Sequence, residues 1–242
     1  MESQRIAECH PRESEDPDSR FRGNDKIGLK VNLILDPRGE PEANMAADEE
    51  LARRVREGTA PATLRIYGWN QPAVSLGRRQ LLEDLPPSLG SDALPIVRRP
   101  TGGGAVLHRP DELTYALALP RFPLPLRERV GVRGLNQLPG LIHQFLRDEL
   151  VRRGLVPPED LRIVSADSNG PATLCFSSPV CGDLLYRGKK VCGCALRVWR
   201  DGLLIQGTIQ GLPVRESDLR EILVEFGAEA GSRTPTACAI AS

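Results

Sequence analysis

Asp183–Gln210 reads DLLYRGKKVCGCALRVWRDGLLIQGTIQ, three short apolar runs separated by two compact polar turns. The runs Asp183–Tyr186, Val191–Trp199 and Leu203–Gln210 have the length and residue types of strands. Arg187-Gly188-Lys189-Lys190 and Arg200-Asp201-Gly202 suit hairpin turns, so the three runs are expected side by side and antiparallel. Downstream, Ser217–Phe226 has a helical pattern with Ser217 as its cap.

Working upstream, Leu141–Gly154 (LIHQFLRDELVRRG) is an amphipathic helix with Leu141, Phe145, Leu146 and Leu150 on its apolar stripe and a glycine stop. Glu112–Pro120 and Ala105–His108 read as a hairpin pair joined by Arg109-Pro110-Asp111, and Leu94–Pro100 as a strand broken by the glycines that follow. Thr63–Trp69 and Ala73–Arg78 are short strands flanking Asn70-Gln71-Pro72. Asn44 is placed to cap a helix ending near Gly58, with Asp48, Glu49 and Glu50 early and Arg53, Arg54 and Arg56 late. Met45, Glu49 and Ala52 trace one of its faces, and Leu51 and Val55 another. Leu29–Asp36 reads as the first strand. Helices and strands do not alternate in a strict βαβ rhythm. The expectation is an α+β fold: a mixed, largely antiparallel sheet flanked by helices. Residues 1–28, rich in Glu, Arg, Ser and Pro, are expected to be disordered, 29–226 to form the folded domain, and 227–242 an unpatterned tail. Leu124–Leu138 looks like an insertion or flexible loop.

Composition bounds the function. The chain has 242 residues, 40% hydrophobic and 26% charged, enough for one core without disulfide or metal staples. Thirty-two basic residues balance thirty-two acidic ones, which argues against a broad nucleic-acid or membrane footprint and leaves only a local basic groove open. No apolar run approaches the roughly 20 residues of a membrane span, and the first residues are too polar for a secretion signal, so a cytoplasmic chain is expected. Cys9 and Cys238 lie in the two ends, while Cys175, Cys181, Cys192 and Cys194 crowd together without the paired spacing of a zinc site. No metal is expected. These four are either inert small apolar residues or include one reactive thiol.

Two stretches carry chemistry. Arg98-Arg99-Pro100-Thr101-Gly102-Gly103-Gly104-Ala105-Val106-Leu107-His108 places three glycines between strands, where bare backbone approaches a ligand closely. Arg98 and Arg99 alternate across the strand, so at most one faces a shared pocket. A tight sheet bend with a solvated arginine pair is an equal reading of the same residues, and the spacing fits neither a Walker nor a Rossmann loop. In Gly188-Lys189-Lys190-Val191-Cys192-Gly193-Cys194-Ala195, a lysine followed by small residues reaches over a narrow slot toward a carbonyl or phosphate oxygen, or simply faces water. His108 suits a hydrogen-bonded strand residue better than a general base, and His143 a structural or surface position.

Together with Asn44–Glu49, Leu64–Trp69, Ala73–Gly77 and Glu112–Tyr115, these stretches resemble, in order, the lipoate–protein ligase and octanoyltransferase family, whose catalytic domain is shared with biotin protein ligases. The resemblance covers about residues 29–225 and is nearest to the octanoyl-[acyl carrier protein]:protein N-octanoyltransferase type. One transferase subfamily carries its nucleophile in a Cys-Phe loop ahead of a key lysine, and Leu174-Cys175-Phe176 stands fifteen residues before Lys190. The Asn-Pro-Cys-Gly string of the other subfamily is missing. The resemblance therefore implies transfer of an octanoyl group from octanoyl-acyl carrier protein to Cys175. It then passes to a lysine of the lipoyl domains of 2-oxoacid dehydrogenases or of the glycine cleavage H protein, with no cofactor. A free thiol titrates near about 8.5, so Lys190 is expected to lower the thiol pKa and to contact the acyl carbonyl. Arg98, Gly102, Gly103, Gly104, Val106, His108, Gly193, Cys194 and Leu76 are the expected substrate-binding set. Cys194 and Cys192 stand where the family has serine and a small apolar residue. Gln206 replaces a histidine common in the family's Gln-His-Gly-Ser/Thr string. An ATP-dependent lipoate–protein ligase, an octanoyl amidotransferase between lipoyl proteins, and a noncatalytic acyl-binding relative are the alternatives.

Overall fold

The computed structural model describes residues 31–86, 89, 94–120, 138–165 and 174–230. The expected disordered segment 1–28, most of the 124–138 insertion, and the end of the tail lie outside them. In chain order the elements are β1 (Asn32–Gly39), α1 (Pro41–Arg56), β2 (Thr63–Trp69), β3 (Ala73–Leu76), β4 (Ile96–Arg98), β5 (Val106–His108), β6 (Leu113–Pro120), α2 (Leu138–Arg152), β7 (Leu161–Ile163), β8 (Leu184–Tyr186), β9 (Lys189–Val198), β10 (Gly202–Ile209) and α3 (Glu216–Ala230).

Among the described residues ten strands form two sheets: seven strands in the order β1-β2-β6-β10-β9-β8-β7, and three in the order β4-β3-β5. Of the described strand pairs, β1–β2 and β3–β4 are parallel and the others antiparallel. The expected α+β class with a largely antiparallel sheet is the one observed. Both hairpins of the 183–210 stretch form. Tyr186 pairs with Lys189 across Arg187 (φ 49) and Gly188 (φ 78), two left-handed residues of the kind a two-residue hairpin turn requires.

The central strands are buried on both faces, and their alternation sorts side chains into two cores. Leu64 and Ile66, Leu113, Tyr115, Leu117 and Leu119, and Leu203, Ile205 and Ile209 meet α2 and α3 in the larger cluster. Tyr67 and Trp69, Ala116 and Ala118, and Leu204 face α1, where Met45, Leu51, Ala52 and Val55 complete a second cluster. The small residues Ala116 and Ala118 let α1 lie close to the sheet.

Several local expectations are corrected. Asn44 is no cap: α1 starts three residues earlier, at Pro41, which suits a first helical turn because its missing N–H has no helical partner there. Asn44 is spent on tertiary contact, donating to the Gly68 carbonyl (3.0 Å) and accepting from Arg65. The helix buries one face containing Asp48, with Glu49 exposed, rather than the two faces expected. Ala105–His108 and Glu112–Pro120 are not hairpin partners: β5 pairs with β3 and β6 with β2 and β10, so Arg109-Pro110-Asp111 carries the chain from one sheet to the other. Likewise β2 and β3 flank their turn but belong to different sheets. In α2 the stripe is Ile142, His143, Leu146 and Leu150, with Leu141 exposed. Glu216 opens α3, not Ser217, and the helix takes in Gly227–Ala230, expected as tail.

Candidate active site

A cleft lies between the two sheets under α1. The large sheet contributes Tyr67, Trp69, Thr114, Gly193, Cys194, Ala195, Gln206 and Thr208; the small sheet gives Ser75, Val106 and His108; and Met45, Arg99 and Cys175 close it.

The segment bearing Cys175 is fastened to the glycine turn. Leu174 forms a parallel bridge with Ala105, and the Cys175 N–H donates to the Ala105 carbonyl (2.8 Å). Lys190 Nζ lies 3.3 Å from Cys175 Sγ, and it donates to the Cys175 carbonyl at 2.9 Å. Its third contact is Asp183 Oδ2 at 2.6 Å, and Asp183 in turn accepts from the Val180 N–H. Phe176 covers the ammonium, its ring centroid 5.3 Å from Nζ. Burial favours the neutral amine of Lys190, but the Cys175 sulfur and the Asp183 carboxylate beside it more than reverse this and hold its pKa above the ordinary lysine value. A bulge in β9 brings this about: Leu185 pairs with Lys190 but Leu184 with Cys192, so Val191 is the extra residue. The shift sets Lys190 over Gly193. A side chain there would begin 2.3 Å from Lys190 Cε, so only glycine lets the lysine lie flat.

The other thiols are differently placed. Cys192 is fully buried, and burial pushes its pKa far up. Burial likewise pushes Cys194 up to about 12. Cys181 is exposed.

Arg99 braces the glycine turn. It donates to the carbonyls of Gly102, Gly104 (2.7 Å) and Ser75 (2.9 Å) and to Ser75 Oγ (3.2 Å). Gly77 permits the approach, since a Cβ there would fall 1.9 Å from the Gly103 carbonyl oxygen. Beneath the cleft runs a satisfied polar network. Asp48 accepts from Arg65 (2.7 Å), Tyr67 Oη (2.7 Å) and Gln206 Nε2 (2.7 Å), while Gln206 Oε1 accepts from Thr101 (2.7 Å). Gln206 thus ties α1 to the turn preceding the glycines.

Of the residues expected from sequence, Cys175, Val106, His108, Gly193 and Cys194 line the cleft, and Lys190 reaches it through Cys175. Leu76, Arg98 and Gly102–Gly104 do not line it. Ser75 takes the cleft face of β3, so Leu76 points to a satellite cluster with Val74, Leu85 and Ala105. Arg98 turns outward and holds the carbonyls of Gly77 (2.9 Å) and Gln80 (2.7 Å); of the alternating pair it is Arg99 that lines the cleft. The glycine turn is occupied with Arg99 and Gly77 behind the wall. Sequence reasoning missed Asp183, Ser75, Thr101, Thr114 and Thr208. Ser75, Thr101 and Thr114 lie within the quoted family stretches, and strand parity with Gln206 marks Thr208; Asp183 carries neither signal.

The stretch of sequence that builds this cleft matches a family profile. Residues 40–235 match the lipoyl protein ligase A/B catalytic domain, and the chain belongs to that family. Among individual relatives, the chain is similar to "Octanoyltransferase LipM" of Halalkalibacterium halodurans, 34% identical over 176 residues, 70% of this chain and 62% of that protein. It is also similar to the protein of the same name from Brevibacillus brevis, 33% identical over 196 residues, 78% of this chain and 68% of that one. The chain therefore spans less than two thirds of the first relative's length. In solved structures the fold is similar to the bi-partite lipoate protein ligase of Thermoplasma acidophilum (TM-score 0.59, 17% identity, 84% of both chains). It is also similar to a lipoate-protein ligase A bound with ATP (TM-score 0.57, 18% identity, 84% of this chain and 85% of that one).

Proposed function

We propose that this chain is an octanoyltransferase of protein lipoylation, working through a thioester on Cys175. The single observation that carries the reading is the Lys190 ammonium 3.3 Å from Cys175 Sγ at the wall of the cleft. A thiol suits this chemistry because it attacks a thioester well and leaves well. Octanoyl-acyl carrier protein is the donor. The Cys175 sulfur bonds to the octanoyl carbonyl carbon, the carbon–sulfur bond to the carrier breaks, and the carrier leaves as a thiol with the proton that Cys175 gave up. Lys190 faces the negative charge that gathers on sulfur and on the carbonyl oxygen. A lysine amine of a lipoyl domain then attacks the octanoyl-enzyme, forming an amide and returning the thiol. The acceptors are the lipoyl domains of 2-oxoacid dehydrogenases or the glycine cleavage H protein. Support for that class comes from the relatives named as octanoyltransferases and from the Thermoplasma ligase, described with its E2 lipoyl domain. The cytoplasm, which keeps thiols reduced, is the compartment this requires. Val106, His108, Gly193 and Cys194 line the acyl slot.

Incubation with octanoyl-acyl carrier protein in the absence of ATP tests the proposal by intact mass. A single hydroxylamine-labile octanoyl adduct, discharged by an apo-lipoyl domain, is expected. Transfer that requires ATP and free acid would make the chain a ligase instead, and neither reaction would leave an acyl-binding protein.

A further inference from the structure

Resting on that thioester reading, the second half-reaction needs a base, because in water a lysine is an ammonium with no lone pair for attack. The groups around the cleft narrow the choice. Lys190 is itself cationic and directs its N–H bonds at Asp183 and Cys175. Arg99 is a cation. Tyr67 and Cys194 are held protonated by burial. Ser75, Thr114, Gln206 and Thr208 are neutral hydrogen-bonding groups. Asp48 is engaged by Arg65, Tyr67 and Gln206, and Asp183 by Lys190. His108 is then the cleft-lining group of the type that serves most often as a general base.

Its surroundings are those of an oriented base. Nδ1 is hydrogen-bonded to Glu112 Oε1, which as a carboxylate accepts, so the ring proton sits on Nδ1. Nε2 is left as the acceptor and lies 2.7 Å from Ser75 Oγ, a cleft-lining atom. The ring is stacked on Trp69, centroids 3.8 Å apart and 14° from parallel. Ser75, His108 and Glu112 are all buried. The charged and polar groups facing this chain are Arg99, on Ser75 Oγ, and Thr114 Oγ1 (3.3 Å) and the Arg109 N–H (3.1 Å), both on Glu112.

We propose that Ser75, His108 and Glu112 form the proton relay that activates the acceptor lysine. The incoming ammonium gives a proton to Ser75 Oγ as the serine hydroxyl proton passes to His108 Nε2, and Glu112 holds the resulting imidazolium. The amine so freed bonds to the octanoyl carbonyl carbon and the carbon–sulfur bond to Cys175 breaks. A second nitrogen proton goes to the departing sulfur, the third stays in the amide, and His108 returns its proton to solvent. His108 and Glu112 act through Ser75, the group that meets the substrate.

The test is a comparison of two nucleophiles on one preformed adduct. The octanoyl-enzyme is isolated for the native chain and for His108→Gln, Ser75→Ala and Glu112→Gln, then discharged either with an apo-lipoyl domain or with hydroxylamine. Hydroxylamine is already neutral at neutral pH and bypasses the relay. The ratio of lysine transfer to hydroxylamine cleavage is expected to fall about 100-fold in the serine and histidine variants, the usual reach of general base catalysis. The isosteric Glu112→Gln, which preserves packing, is expected to lower the ratio too and to move the pH dependence of lysine transfer. An unchanged ratio in Ser75→Ala and Glu112→Gln would overturn the relay, as would an equal slowing of both nucleophiles, which marks a structural role. A native chain that forms no adduct overturns the thioester reading and the relay with it.

Discussion

Lys190 and Asp183 are nearly inaccessible and 2.6 Å apart, so each charge depends on the other. Removing one partner of a buried pair leaves an uncompensated charge and costs about 3–5 kcal/mol, whereas replacing both loses far less. Lys190→Met should therefore lower the urea midpoint sharply and abolish octanoyl adduct formation. Lys190→Met/Asp183→Asn should recover much of the midpoint and none of the adduct. A double variant no more stable than the single one would show that the pair is not coupled in this way. At Gly193, the alanine Cβ would meet Lys190 Nζ at 2.7 Å and Cε at 2.3 Å. Gly193→Ala is expected to slow adduct formation by about tenfold through displacement of the lysine; an unaltered rate would mean that Lys190 need not rest there. Cys175 and Lys190 were singled out through the family resemblance, since neither local string is distinctive by itself, and the fold brings them together. Asp183 was not: an aspartate at the mouth of a strand is ordinary, and only the β9 bulge, invisible in a one-letter pattern, turns the lysine toward it.

Element by element, the strands of the 183–210 stretch, their two hairpins and the three described helices were readable from the sequence, and strand partnership elsewhere was not. The short segment between β5 and β6 has the look of a hairpin turn yet crosses between sheets, because pairing is decided by what lies opposite in space. Asn44 has a capping residue's chemistry but finds better partners in Arg65 and Gly68. His143 on α2 shows a histidine used structurally. Its Nδ1 is 2.7 Å from the Gly182 carbonyl and its Nε2 3.1 Å from Tyr115 Oη. Burial lowers its pKa from 6.5 to about 4. The folded state thus prefers the neutral ring while the unfolded chain protonates near 6.5, so stability falls as pH drops below 6.5 and this contribution levels off below about 4. The loss over that window is about 3 kcal/mol. Urea unfolding from pH 7 to 4 should show the decline in the native chain and a flatter profile in His143→Asn. Parallel profiles would assign the decline to other groups.

At the scale of the whole molecule, two sheets sharing α1 and a glycine turn enclose one cleft, and each wall is shaped by alternation along a strand. β10 gives Leu204, Gln206 and Thr208 to the cleft side and Leu203, Ile205 and Ile209 to the helices. The fold class was legible because the helical and strand-like runs follow no βαβ rhythm and the 183–210 runs are joined by hairpin turns. The composition of the cleft was only half legible, since Ser75, Thr114 and Thr208 line it from positions where the sequence singles out a neighbour instead. What the architecture accomplishes is to bring a thiol from one segment and an ammonium from the hairpin that follows it together at the wall of the cleft. The most direct test is to charge the native chain, Cys175→Ala and Cys194→Ala with octanoyl-acyl carrier protein and to locate the added mass by peptide mapping. The octanoyl group is expected on Cys175 in the native chain and in Cys194→Ala, and on no residue in Cys175→Ala. A full adduct persisting in Cys175→Ala would contradict the account.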